Sequence, residues 1–229
     1  MQLSYPDTIS HCQSCVLLFS GGRDSTVAAA RLAGQCQNVV LLTISNSHLL
    51  GMERVRSRID ELSPYFKGNG EWLHVAVSPS ALRVPEVDLP GCLTCQHSYV
   101  AVAVRVADQY GINHVALGYT AYQAGWVEQS PYAITRLSEV LAAAGKTLLL
   151  PANDLASKDQ AKHMLRLLSL SEDALEQKCA RQQTNDVPLD EETIRARVDR
   201  WAESLSHLLA ERNRIEFRVL ESKSVEATR

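Results

Sequence analysis

Short apolar runs alternate with longer amphipathic stretches along most of this 229-residue chain. Short runs bounded by turn residues are typical of buried strands, whereas longer stretches with apolar residues three or four positions apart are typical of helices. The pattern predicts strands over 16–20, 38–45, 71–77, 114–119 and 147–150. It predicts helices over 24–33, 50–66, 93–110, 131–144 and 157–169, with a further helical stretch over 171–178.

The regular alternation of strands and helices predicts the fold class. Strands that are linked through helices lie parallel in one sheet, with helices on both faces. Residues 39–44 are almost all apolar, as expected of a central strand that is buried on both sides. We therefore predict an α/β fold with a doubly wound, Rossmann-like parallel sheet of five strands.

The chain changes character after Asn185. A charged amphipathic stretch over 191–213 predicts a helix, with Asp190 as its N-cap. This helix docks either on the core or on a second subunit, which would make the protein a homodimer. We divide the chain into a main domain over 1–185 and a C-terminal helical extension over 186–229, and we expect residues 221–229 to fray.

Composition sets limits on partners and compartment. A net charge of −3 and a pI near 6.2 give no global attraction to nucleic acid. No apolar run is long enough to span a bilayer, and residues 1–13 lack the pattern of a signal peptide, so we expect a cytoplasmic protein without a membrane partner. In that reducing compartment, the six cysteines favour metal binding or catalysis over disulfides.

A glycine-containing turn separates the first predicted strand from the first predicted helix. Its residues are Ser20, Gly21, Gly22, Arg23, Asp24 and Ser25. Two glycines let backbone N–H groups approach an anion, and the N-terminus of the following helix adds partial positive charge. The spacing matches neither a Walker loop nor a dinucleotide fingerprint. The turn predicts a nucleotide phosphate site, and an ordinary glycine turn is the alternative.

Other residues at the same sheet edge extend the expected nucleotide site. Ligands of open α/β sheets bind beyond the carboxyl ends of the strands, where Ser45 and Gly118 lie in the predicted fold. Asp24 is a carboxylate suited to Mg²⁺ on the phosphates, or to the dipole of its own helix. Arg23 and Lys158 are cations that can meet phosphate oxygens, and a solvated surface lysine is the alternative for Lys158.

The spelling Ser-Gly-Gly-x-Asp-Ser resembles the PP-loop signature of the ATP pyrophosphatase superfamily, whose members have a HUP-type fold. The resemblance implies that residues 20–25 hold ATP with Mg²⁺. It also implies that ATP is cleaved between its α and β phosphates and that AMP passes to an oxygen of the substrate.

The pair Cys92 and Cys95 opens the predicted helix 93–110, and Cys179 follows far along the chain. Residues three apart share a helix face, and a helix N-terminus lowers the pKa of a thiol. The two cysteines can therefore bind a soft metal or carry a persulfide. With Cys179 they make a set of three, which leaves a metal or cluster one ligand short.

The pair Cys92 and Cys95, the helix after it and residues 111–120 resemble the PP-loop enzymes that thiolate tRNA in the 2-thiocytidine and 2-thiouridine branches. The resemblance implies that Cys92, Cys95 and Cys179 hold a [4Fe-4S] cluster, with a tRNA acceptor and a sulfur donor protein or sulfide as partners. The chain departs from those families at Tyr122 and Gln123, where they carry paired aspartates, and at residues 96–100, where they carry paired arginines.

Three functions remain open on the sequence. The leading one is ATP-dependent sulfur transfer to a tRNA base, a free nucleobase or another small metabolite, and acidity and the missing arginines favour a small molecule. Residues 122–126, 149–151 and 157–158 are similar to 7-cyano-7-deazaguanine synthases, which adenylate a carboxylate and take up ammonia. The third is a non-catalytic nucleotide-binding module, because the paired aspartates are missing.

The remaining candidates receive structural interpretations. Cys12, Cys15 and Cys36 are expected to be structural, with Cys12 as an alternative surface residue. A zinc site that joins Cys12 and Cys15 to Cys92 and Cys95 is excluded, since a five-residue strand separates them by about 16 Å. The arginines 54, 56 and 58 are expected to be solvated, with a weak patch for an anionic ligand as the alternative. His97 is the one histidine worth testing, and the long loop 78–91 is expected to be functional.

Overall fold

The computed structural model describes residues 12–77, 92–180 and 189–226. Its central sheet has six strands in the order β6-β5-β1-β2-β4-β8. The first five of these are parallel to one another, and β8 is antiparallel to β4. The strands are β1 (Ser14–Leu18), β2 (Asn38–Ser45), β4 (Lys67–Val77), β5 (His114–Leu117), β6 (Thr147–Leu149) and β8 (Phe217–Glu226). A separate antiparallel pair joins β3 (Leu49–Leu50) to β7 (Lys178–Cys179).

Six helices cover the sheet in the described residues. They are α1 (Arg23–Ala33), α2 (Met52–Leu62), α3 (Leu93–Gln109), α4 (Pro131–Ala143), α5 (Lys158–Leu167) and α6 (Glu191–Ala210). The predicted α/β class and the parallel strands are confirmed. Helix α2 ends at Leu62 rather than at residue 66, and a short 3-10 turn that contains Pro64 follows. Within the described ranges, no helix combines the length and apolarity that a bilayer crossing requires.

The sheet is packed on both faces. One core layer lies between the sheet and α3, α4 and α6, and it includes Val104, Leu137 and Trp201. The other lies between the sheet and α1, α2 and α5. Asp190 caps α6 by accepting a hydrogen bond from Thr193 N at 2.7 Å, as predicted. Trp201 is fully buried, so α6 follows the prediction that it docks on the core of its own chain.

The C-terminal extension contains a strand as well as a helix. Residues 221–226 belong to β8 and pair with β4, so the expectation that they fray is wrong, and the sheet has six strands rather than five. Most residues of β8 are exposed, as on a sheet edge, so the segment has no continuous apolar run. The strand is defined by its backbone hydrogen bonds to β4. A search for apolar runs in the sequence cannot detect such hydrogen bonds.

Cys12, Cys15 and Cys36 form one buried group. Cys12 is 6% exposed, so the alternative that it lies on the surface is wrong. The ligand atoms of the three side chains all lie within 4.8 Å of one another, and Cys15 Sγ is 3.9 Å from Cys36 Sγ. Hydrogen bonds from Cys15 and Cys36 lower the pKa of Cys12, and a charge on His114 acts in the same direction.

Candidate nucleotide and thiol site

The turn after β1 has the geometry of an anion site. Gly21 has a φ of +82°, which favours glycine, and a Cβ on it would lie 2.8 Å from Leu175 O. Ser20 Oγ accepts a hydrogen bond from Gly22 N at 3.2 Å and lies 3.1 Å from Ser25 Oγ. Gly22 is the N-cap of α1, and it has no side chain to accept from the helix. The first N–H groups of α1 are therefore donors for a bound anion.

Two predicted residues from neighbouring strands lie at this edge. A Cβ on Gly118 would be 2.7 Å from Ser25 Cα and 2.8 Å from Ser25 N, so the absence of a side chain lets the end of β5 support the turn. Ser45 is the last residue of β2, and its Oγ is 2.8 Å from His74 Nε2. The sheet thus holds the turn from the side of β5.

Asp24 lies in a polar group at the start of α1. Tyr122 Oη donates to both carboxylate oxygens of Asp24, at 2.6 and 2.8 Å. Burial raises the pKa of Asp24, the Tyr122 hydrogen bond and the charges of Arg23 and Lys158 lower it, and the charge of Glu176 raises it. The structure therefore brings the predicted Arg23, Asp24 and Lys158 together, and Tyr122, which replaces a family aspartate, contacts Asp24 directly.

An irregular segment over 171–176 covers the turn. The helical stretch predicted over 171–178 is wrong, since residues 171–177 are neither helix nor strand. Arg23 Nε donates to Glu172 O at 2.6 Å, and Arg58 donates to Ser171 O at 3.0 Å and Asp173 O at 2.5 Å. Arg54 donates to Ala174 O. Three arginines thus satisfy the carbonyls of a segment that has no regular backbone pairing.

The expectation that the arginines of α2 are solvated is wrong for Arg58. Its side chain is fully buried and pairs with Glu61 at 2.5 Å. Burial lowers the pKa of Arg58, and the Glu61 charge opposes this effect. Arg58 thus holds the segment 171–176 in place through its hydrogen bonds. The sequence predicts no such role, because arginines at 54, 56 and 58 are typical of a solvated helix surface.

The covering segment places Glu176 beside the turn, a residue that the sequence reasoning missed. Its Oε2 is 3.3 Å from the position that a Cβ of Gly22 would take. This oxygen is buried and has no hydrogen-bond partner among the described residues. The other carboxylate oxygen is 3.6 Å from Lys178 Nζ. A buried carboxylate next to a phosphate-binding turn is suited to a cation.

The three predicted cysteines lie close to one another. Cys92 is the exposed N-cap residue of α3, Cys95 Sγ is 3.6 Å from His48 Nε2, and Cys179 is the register partner of Leu49. Burial raises the pKa of Cys92 to about 11, and the charges of Glu128, Cys95 and Cys179 act in the same direction. The expected lowering by the helix N-terminus is therefore wrong for Cys92, because burial and negative neighbours outweigh the helix dipole.

Glu128 is a second carboxylate that sequence reasoning missed. It is 6% exposed, and burial raises its pKa. It lies in a 3-10 turn (Val127–Gln129) after β5, and its charge reaches both Cys92 and Tyr119. No motif marks it, since its proximity to Cys92 comes from chain folding over 36 residues. A titratable acid therefore lies next to the thiols.

The turn and the thiols are neighbours. Glu176 is at the turn and Cys179 is three residues further along, so their Cα atoms are at most about 11 Å apart. His97 does not belong to this group, since it is fully buried and its Nε2 is 3.0 Å from Ser204 Oγ of α6. The loop 78–91, predicted to be functional, lies outside the described residues.

Comparison with known proteins identifies the fold. No protein-family model and no curated protein matches the sequence. A solved 4-thiouridine synthetase–RNA complex with bound ATP matches at a TM-score of 0.64 and 18% identity, over 91% of this chain and 55% of that one. This chain has the fold of that 4-thiouridine synthetase.

Two further solved structures have the same fold. The U34-tRNA thiolase NcsA from Methanococcus maripaludis with its [4Fe-4S] cluster matches at a TM-score of 0.51 and 14% identity, over 91% of this chain and 73% of that one. The NMN synthetase from Francisella tularensis matches at 0.50 and 16%, over 86% and 87%. This chain spans about half the length of the 4-thiouridine synthetase chain. At these identities the likeness concerns the fold.

Tyr122 and Gln123, where the sequence departs from the PP-loop families, have different surroundings in this fold. Tyr122 and Gln123 lie in a 3-10 turn (Ala121–Gln123) after β5. Tyr122 faces the PP-loop through Asp24, whereas Gln123 Oε1 accepts a hydrogen bond from Thr120 Oγ1 at 3.2 Å. The carboxylate of Glu176 also lies at this turn, with its Oε2 3.3 Å from the position of a Cβ on Gly22.

Proposed function

We propose that this chain is an ATP-dependent enzyme that adenylates a carbonyl oxygen of its acceptor and then replaces that oxygen with sulfur. One observation carries the proposal: a PP-loop and a group of three cysteines lie at the same sheet edge, joined by residues 176–179. The Cα atoms of Glu176 at the turn and Cys179 are at most about 11 Å apart, a distance that a nucleotide and its acceptor can span. A nucleotide-binding module would need the turn but not the thiols.

The first step is attack by the acceptor carbonyl oxygen on the α-phosphorus of ATP. The new bond joins oxygen to phosphorus, the bond between the α-phosphorus and its bridging oxygen breaks, and pyrophosphate leaves. The amide proton is lost as a C=N bond forms. Backbone N–H groups of residues 22–25 bind phosphate oxygens, and the charges of Arg23 and Lys158 offset the negative charge that develops on the leaving group.

Asp24 and Glu176 are the residues that would hold Mg²⁺. The charge of Glu176 raises the pKa of Asp24, and a divalent cation near the two carboxylates would offset that repulsion. The buried Glu176 Oε2 that has no partner among residues 12–77, 92–180 and 189–226 fits this role. A bound Mg²⁺ would neutralise phosphate charge, and Tyr122 orients Asp24 by its two hydrogen bonds.

Cys92, Cys95 and Cys179 fit a cluster better than a single ion. Within the described ranges, their sulfur atoms are not all inside the 4.8 Å spacing that a shared ion needs. Thiolates that bind separate irons require wider spacing. Cys92, Cys95 and Cys179 are the residues that would hold a [4Fe-4S] cluster, and the cluster would supply a binding place for sulfide. In the second step, hydrosulfide attacks the activated carbon, a C–S bond forms, and AMP leaves with the original oxygen, without net redox change.

The acceptor of this reaction is proposed to be a nucleobase. Two proteins with this fold are a 4-thiouridine synthetase and a U34-tRNA thiolase, which supports a base as the acceptor, either in tRNA or free. The net charge of −3 gives no global attraction to a polyanion. We therefore expect free nucleobases or nucleosides to be accepted at least as well as tRNA.

A second candidate function is favoured by the raised pKa of Cys92. At about 11, this thiol is protonated at neutral pH unless a cation lies beside it, and a thiol is a poor sulfur carrier. The alternative is adenylation followed by attack of ammonia, as in the 7-cyano-7-deazaguanine synthases. This reaction uses the same turn and does not need the cysteines.

The two candidates differ in their response to Cys92→Ser. We expect this variant to lose sulfur incorporation while its acceptor-dependent pyrophosphate release stays within about threefold, because adenylation precedes sulfur attack. Anaerobically purified protein is assayed for bound iron, pyrophosphate release and thiolated product. The matched control is Ser98→Ala, one turn from Cys95 on the same helix. Full sulfur incorporation by Cys92→Ser contradicts the sulfur proposal.

The Mg²⁺ assignment predicts the behaviour of Glu176→Gln. Loss of one carboxylate leaves Mg²⁺ on Asp24 and the phosphates, so the Mg²⁺ concentration for half-maximal pyrophosphate release is expected to rise about tenfold. The control is Glu172→Gln, which removes a charge from the same segment but faces Arg166. An unchanged Mg²⁺ dependence in Glu176→Gln would refute the assignment.

A further inference from the structure

A second set of cysteines lies at the end of β1 that is opposite the PP-loop. Cys12 precedes β1, Cys15 lies in β1, and Cys36 follows α1. All three are free and buried. β1 has five residues and spans about 16 Å, so these thiols and the PP-loop lie at opposite ends of the same strand. The reaction proposed above uses none of them.

The spacing of these thiols matches the edge of a tetrahedral metal site. Zinc binds thiolate sulfur at about 2.3 Å, so two sulfurs of a tetrahedral site are about 3.8 Å apart. Cys15 Sγ and Cys36 Sγ are 3.9 Å apart, and Cys12 Sγ lies within 4.8 Å of both. A disulfide would need about 2.0 Å, and a cluster whose thiolates bind separate irons would need wider spacing.

His114 lies on the strand beside these thiols but is not part of their group. It is the register partner of Cys15 in the parallel pair β1–β5, so both side chains leave the sheet on the same face. Its Nδ1 is 3.1 Å from Ser14 O, and among the described residues its ring nitrogens are outside the 4.8 Å spacing that the three sulfurs share. The three thiols therefore carry the site.

We propose that Cys12, Cys15 and Cys36 bind one zinc ion. Sets of cysteine thiolates are typical of structural zinc. The ion would join the segment before β1 to β1 itself and to the turn between α1 and β2. Asn69 already donates to Cys36 O at 2.9 Å, so the start of β4 is coupled to the same point. The site therefore stabilises the fold rather than the reaction.

The metal content of the full chain tests this site. Protein produced with added zinc and purified by gel filtration is expected to retain about one zinc ion per chain and to lose it in Cys36→Ser. The control is the double variant Cys92→Ser and Cys179→Ser, which is expected to keep the zinc. Zinc that is lost in this double variant but retained in Cys36→Ser would place the ion at the other cysteines and overturn the proposal.

Cobalt substitution gives a readout that does not depend on the folding of a variant. Wild-type protein that takes up Co²⁺ is expected to show sulfur-to-cobalt charge-transfer bands and the intense visible bands of a tetrahedral site. Cys15→Ser is expected to weaken zinc binding by more than the roughly tenfold that losing a group around a metal ligand costs. A wild-type chain that retains neither zinc nor cobalt, or that forms a disulfide between Cys15 and Cys36, overturns the proposal.

Discussion

Replacing Asp24 with Asn is expected to lower acceptor-dependent pyrophosphate release about a hundredfold or more. Asp24 lies in the first turn of α1, directly behind the glycines of the PP-loop. In the proposed reaction its charge would hold Mg²⁺ on the phosphates, and an amide of the same shape would keep the fold but not the cation. Because burial raises the pKa of Asp24, keeping its carboxylate ionised in the folded protein costs free energy.

Two further variants test whether the loss of pyrophosphate release in Asp24→Asn is specific to the charge of Asp24. Asp60→Asn removes an exposed carboxylate from α2 and is expected to change the rate less than twofold, since its pairing with Lys223 lies on the surface. Tyr122→Phe removes two hydrogen bonds that lower the pKa of Asp24. With the pKa of Asp24 raised further, its carboxylate protonates at higher pH, so the acid limb of the rate profile is expected to move to higher pH. Full activity in Asp24→Asn would show that another group holds the metal.

The sequence predicts those parts of the site that are local in the chain. The turn 20–25 is defined by adjacent residues, because two glycines between a strand and a helix determine both the backbone and the anion site. Cys92 and Cys95 are predicted as a pair for the same reason, since they lie three residues apart at the start of one helix. The class of fold follows from alternating periods along the chain, and this does not depend on which distant residues touch.

The parts that the sequence does not reveal depend on contacts between distant residues. Glu176 lies more than 150 positions from Gly22, and nothing in its neighbourhood indicates that it reaches the turn. Arg58 resembles a solvated helix residue, yet its guanidinium satisfies carbonyls that lie 113 and 115 positions away. Cys36 meets Cys12 and Cys15 only because parallel pairing brings the start of β2 beside β1.

The six cysteines form two separate sets, and the fold rather than the composition determines which cysteine belongs to which set. Both include the spacing Cys-x-x-Cys, and the chain offers six cysteines to be grouped. The direction of β1 places one set at the amino ends of the parallel strands and the other near their carboxyl ends. Open α/β sheets bind ligands at the carboxyl ends of their strands. We therefore propose chemistry for the set near those ends, which includes the exposed Cys92, and stability for the fully buried set.

Replacing Gly118 with Ala is expected to weaken ATP binding at least about tenfold and to destabilise the fold by about 1–3 kcal/mol. The added Cβ would meet Ser25 Cα at 2.7 Å and Ser25 N at 2.8 Å. These are backbone atoms of the PP-loop, and they cannot move aside as a flexible side chain can. The φ of Gly118 is outside the left-handed region, so the effect arises from this contact and not from backbone strain.

Gly125→Ala is the matched control for this prediction. Gly125 lies seven residues further along, and a Cβ on it would have no neighbour within 4 Å, so its stability and ATP affinity are expected to stay at wild-type values. Calorimetry measures ATP binding, and thermal unfolding measures stability, at about 2–4 °C for each kcal/mol in a chain of this length. Equal ATP affinities in Gly118→Ala and wild type would mean that the turn does not bind phosphate in the conformation described, because β5 then has no part in shaping it.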